Sequence, residues 1–144
     1  MAITQAMCTS FKQELMLGDH DLDTDSLKIA LYTSSATLSA ATTAYTATNE
    51  VSESGTSYTA GGVALNNAAV TVDGTTAILD FDDAVFSDVS LTARGALIYN
   101  TSSAINTNAA IAVLDFGADK TATDGDFTII FPGAAASTGI VRIA

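Results

Sequence analysis

Apolar positions follow two different periods along this chain, and the change of period divides it. Met7, Phe11 and Leu15 recur at a spacing of four, which places them on one stripe of a helix. Ser10 followed by Gln13 has the form of a capping box, and Gly18 supplies a C-terminal stop. The pattern predicts a short amphipathic helix over residues 5–17, with its apolar face against a sheet or a neighbouring subunit. Beyond it the helical period disappears. Residues 27–32 form a short apolar run, as expected of a buried strand. Residues 34–61 are rich in Ser, Thr, Ala and Gly and read as a long excursion with little regular structure. Loops of that length in a compact domain usually have a use, and the expected one is reaching another subunit.

Strand signals then follow at regular intervals. Asp73-Gly74 between the β-rich runs 70–72 and 75–79 predicts a two-residue type I′ hairpin, since both turn positions need positive φ. Residues 84–86 and 91–99 read as two strands, 100–108 as a polar loop and 109–116 as a buried strand. Asp124-Gly125 predicts a turn before a strand at 127–131, which Pro132-Gly133 ends. Residues 140–143 form a last strand, expected to be locked into a sheet. About eight strands result, with no strand–helix–strand alternation. The expected fold is mainly β: an antiparallel β-sandwich or jelly-roll-like single domain over residues 1–144, with one N-terminal helix.

Composition changes the picture in one respect. Hydrophobic residues make up 48% of the chain, but only 15% are charged, against about 25% in typical soluble domains. A neutral surface of small side chains is cheap to desolvate, so extensive contact with copies of itself or with a larger assembly is expected. The net charge is −11, and the five cations Lys12, Lys28, Arg94, Lys120 and Arg142 are scattered singly. No basic stripe faces phosphate, so neither nucleic acid nor an anionic membrane is an expected partner. With Cys8 as the lone cysteine no intrachain disulfide forms, which fits folding in a reducing cytoplasm. No run of 18 apolar residues exists, and Met1-Ala2-Ile3-Thr4 lacks the features of a signal peptide.

Candidate chemistry is sparse. His20 is the one histidine, set between Asp19 and Asp21, and it reads as a solvated loop residue. Cys8 reads as a buried or interfacial thiol. No serine sits in a nucleophile elbow, and two residues cannot supply a zinc site. Asp19, Asp21, Asp23 and Asp25 alternate as at the start of an EF-hand loop. Counted from Asp19, the positions that need Gly and Glu hold Thr24 and Ala30; counted from Asp21, they hold Ser26 and Tyr32. A looser oxygen-ligand site stays open as an alternative. Asp80, Asp82, Asp83 and Asp88 form a second acidic cluster, but the aromatic platforms that sugar binding needs are few. Gly61-Gly62 and Gly133 read as turn glycines outside any phosphate-loop pattern. The reading is of a protein that is not an enzyme, with no cofactor and no catalytic or metal site.

Several stretches carry a resemblance. Residues 28–38 (KIALYTSSATL), 44–51 (AYTATNEV), 58–62 (YTAGG), 93–100 (ARGALIYN), 112–117 (AVLDFG), 125–129 (GDFTI) and 140–144 (IVRIA) resemble, in order, a family of small virion proteins of tailed bacteriophages. The resemblance spans nearly the whole chain and contains no catalytic signature. It implies a virion structural protein. The expected form is a capsid decoration, or cement, protein that self-associates as a dimer or trimer and binds across major capsid protein subunits on the head surface. A tail or head–tail connector component is the alternative, and a calcium- or glycan-binding module a more distant one.

Overall fold

The computed structural model describes residues 2–144. Its elements in order are β1 (Ala6–Met7), α1 (Thr9–Met16), β2 (Leu27–Tyr32), β3 (Val63–Ala64), β4 (Ala69–Asp73), β5 (Thr76–Asp80), β6 (Ala84–Asn100), β7 (Ala109–Ile129) and β8 (Val141–Ile143). Two antiparallel sheets result. One has the order β1-β7-β6-β2-β3 and the other β4-β5-β8. The mainly-β, sandwich-like expectation holds, with one short helix. The C-terminal strand is paired, Val141 to Ile143 lying against Leu79 to Ala77 of β5.

The strand count agrees with the sequence reading, but the strands themselves differ. Residues 84–86 and 91–99 are parts of one 17-residue strand, and 109–116 and 127–129 are parts of one 21-residue strand. Asp124-Gly125 is not a turn between strands. Val89 faces Gly125 and Leu91 faces Ala122, so β7 carries one extra residue there, a β-bulge with Asp124 at φ 47°. This bulge and a type I′ hairpin turn both use left-handed backbone, and Asp-Gly suits either. Only the partner strand decides between them, and no local pattern reports it.

The 73–76 hairpin forms one residue later than expected. Asp73 pairs with Thr76, so the turn residues are Gly74 and Thr75. Gly74 alone has positive φ, 63°, which is the type II′ pattern and not type I′. The helix is also shorter than 5–17. Ala6 and Met7 are drawn out as a strand against Val113 and Ala112 of β7, and Cys8 in extended geometry stands at the N-cap. Ser10 therefore lies inside the helix, its hydroxyl buried without a partner, and the capping box does not form.

Cross-strand partners share a face, which fixes the two sides of the larger sheet. One side carries Lys28, Tyr32 and Tyr99; the other carries Leu27, Ile29, Ile98 and Asn100. Both sides are covered, which is why β2 is apolar apart from the half-buried Lys28. The segment 34–61 does not extend outward. It folds back beside β2, bridging Tyr32 to Glu50 and Ala44 to Ala109, and buries Leu38, Val51 and Tyr58. It returns through Gly62 at φ 77°, where a Cβ would stand 1.8 Å from the Ile29 carbonyl oxygen, so only glycine fits. Burying its own apolar residues stabilises the segment more than solvent exposure would.

Candidate functional site

His20 is not solvated. It is buried beneath the end of α1, its ring centroid 5.0 Å from that of Phe11. The Asn100 amide donates to Nδ1 at 2.9 Å, and Nε2 lies 2.9 Å from the Glu14 carboxylate, which places the ring proton on Nε2. Glu14 also accepts from the Asn106 amide at 3.2 Å, and Asn100 donates to Asp25 at 2.7 Å. Asp19 accepts from the Ser103 hydroxyl and from the Ala104 and Ile105 N–H groups. The Ser103 bond first, then those N–H groups, hold its carboxyl below the ordinary range. Asp19 thus pins the acidic turn to the 101–108 loop and rotates His20 inward. Glu14, Asp19 and His20 bring three ligand-type groups within 4.8 Å of one another. All three are already engaged in this network, which joins α1 to the end of β6.

The alternating aspartates are thereby divided. Asp19 and Asp25 cap backbone groups, Asp25 accepting the Asp21 N–H at 2.9 Å. Asp21 stands beside Asp23, and its hydrogen bond and charge raise the Asp23 carboxyl above the ordinary range. In the second acidic cluster Asp82 accepts from Asn67 and Asp83 from the Phe131 N–H at 2.9 Å, so two of its members serve separate loops. Cys8 is fully buried, as read, and burial pushes its thiol up to about 11.

A further cluster escaped the sequence reading. All four tyrosines gather beside Glu50. Tyr45 and Tyr58 donate to its two carboxylate oxygens at 2.6 and 2.7 Å, and the Gly61 N–H donates at 2.7 Å. Tyr99 donates to the Gly61 carbonyl and stacks on Tyr45 at 4.9 Å, while Tyr32 donates to the Thr46 carbonyl. Burial, with the Glu50 charge, raises every one of these phenols, Tyr99 to about 12 and the others further. The four tyrosines are 13 or more positions apart from one another in sequence, and no local spacing signals the cluster.

The feature with the shape of an interaction site lies between α1 and the smaller sheet. Val70, Val72, Ala77, Leu79, Val141 and Ile143 share one face of that sheet through the register of β4, β5 and β8. Leu79 and Val141 are buried, but Val72 is 72% exposed and Val70 and Ile143 about half exposed. A cleft of about 620 Å³ opens over this face, bounded by Leu15, Leu22, Asp21 and Asp23. A second, of about 430 Å³, lies on the other flank of the helix between Met7, Met16, Lys12 and Arg142. Phe11, Leu15 and Ile143 border both. Met16 and Leu17, at the end of the helix, are 91% and 63% exposed. The surface is apolar at its centre, acidic at one end and basic at the other.

No family model, curated protein or solved structure matches the chain. Among the described residues no helix is long and apolar enough to cross a membrane.

Proposed function

We propose that this chain is a structural protein of a tailed-phage virion, a capsid decoration protein that clamps neighbouring major capsid subunits. One observation carries the geometric side of the proposal: the apolar face between α1 and the smaller sheet is left uncovered, with Met16 beside it and Val72 on it largely exposed. Leaving large side chains in water is unfavourable by about 25 cal/mol per Å² of apolar area. Exposed apolar residues gathered around a cleft mark a docking surface. The resemblance to small virion proteins gives the docking surface its expected partner. In this reading the protein works by burying area across subunit boundaries and turns over no substrate.

The test uses purified protein and heads that lack it. Binding at a fixed ratio to shell subunits is expected, together with a higher bursting temperature. The double variant M16E/L17E alters only exposed positions and should weaken binding by at least about 10-fold. Heads that take up no protein and keep their heat resistance would sink the proposal. Association with purified tails, with none on the shell, would instead assign the chain to the tail or connector.

A further inference from the structure

We propose that β4 is a pairing edge, through which two copies of this chain join their smaller sheets into one six-stranded sheet about a two-fold axis at Thr71. The strand order β4-β5-β8 leaves β4 paired on one side only. All five of its residues are exposed, whereas its neighbour β5 is buried or half-buried throughout. Val70 and Val72 alternate with Ala69 and Thr71, a half-buried pattern on a strand that is buried on neither face.

The hairpin register shows which backbone groups are free. Asp73 and Thr76 close a two-residue turn and form a hydrogen-bonded pair. The alternation of an antiparallel ladder then makes Thr71 and Ile78 a bonded pair as well. The N–H and C=O groups of Val70 and Val72 therefore point away from β5. Among the described residues no backbone bond outside that ladder reaches residues 69–73. The usual edge blockers, a lysine, a proline or a bulge, are missing from the strand.

The self-matching register of the strand points to a second copy as the occupant, and its charge permits one. On a chain of net charge −11, β4 is neutral except for Asp73, whose carboxylate accepts the Ala136 N–H at 2.7 Å. Antiparallel pairing about Thr71 sets Val70 opposite Val72 of the second copy, and Asp73 opposite Ala69. The two Asp73 carboxylates then lie at opposite ends of the pair, beyond a Debye length of about 8 Å at physiological salt. About four main-chain hydrogen bonds form, and the valines of both copies make one continuous apolar row. A contact of this length falls below the roughly 1,200 Å² of a standard interface, so the dimer should be weak, concentration-dependent and favoured by salt.

The pairing is tested by cysteine placement. Thr71 and its counterpart form a non-bonded pair with Cα atoms about 4.5 Å apart, within disulfide range. Under mild oxidation T71C should form a covalent dimer, while A69C, which faces Asp73 of the copy, should not. Cys8 is fully buried and takes no part. Light scattering should show the mass rising between about 10 µM and 1 mM. V72P removes an outward N–H without touching the bonds to β5 and should keep the protein monomeric. A T71C variant that links no better than A69C, or a V72P variant that dimerises as wild type does, overturns the pairing. None of these readouts involves heads, so the result stands apart from shell binding.

Discussion

Glu50 shows how much one residue can organise. Its carboxylate accepts two tyrosine hydroxyls and one N–H, and so ties the 34–61 segment to itself. Replacing it by alanine leaves the buried Tyr58 hydroxyl without its acceptor. Hydrogen bonds to charged groups are worth about 1.5–3 kcal/mol, so E50A should lose about 3 kcal/mol in urea unfolding, and E50Q clearly less. The same cluster makes an alkaline prediction. Unfolded tyrosines ionise near pH 10, and all four here are raised in the fold. The fold prefers the neutral phenols, so their contribution is complete below pH 10 and is lost as pH rises from 10 through the folded value of about 12 for Tyr99. Absorbance at 295 nm should show almost no tyrosinate at pH 10 while the circular dichroism stays native. Tyrosines that titrate near pH 10 in the folded protein would contradict this.

At the scale of elements, α1 is held to the larger sheet by a polar contact as well as by Phe11. Glu14 accepts from His20, which accepts from Asn100 at the end of β6. In E14A the buried imidazole N–H loses its acceptor. A loss of about 2 kcal/mol is expected from equilibrium unfolding, and a double-mutant cycle with N100A should show coupling, since the two residues share the His20 ring. The sequence made the helix, β2, the 69–80 hairpin and the terminal strand legible, because each rests on local periodicity or a local turn residue. It did not reveal that His20 is buried, since Asp19 and Asp25, acidic neighbours that suggest solvent, are groups that pin the turn. It also divided β6 and β7 in two, because Asp88 and Asp124 at positive φ have the local character of turns although their partners keep the ladder going. The apolar helix face was legible from Met7, Phe11 and Leu15. The cleft beside it was not, because it requires the smaller sheet to fold back from more than 50 residues along the chain.

For the whole molecule, charge sets one further expectation. Sixteen acidic groups against five cations repel one another in the compact state. Added salt screens that repulsion, so the melting temperature should rise by several degrees between about 10 mM and 0.3 M NaCl. A fall over the same range would mean that ion pairs such as Arg94–Asp115 outweigh the repulsion. The long β6–β7 ribbon, turned at residues 101–108, has a kinetic consequence. Its pairs next to the turn close a short loop, whereas β2 must find β6 across more than 60 intervening residues. Loop-closure entropy therefore favours the ribbon as the nucleus and β2 as a late arrival. Truncating Ile98 or Ile111 should slow refolding, while truncating Ile29 should chiefly speed unfolding.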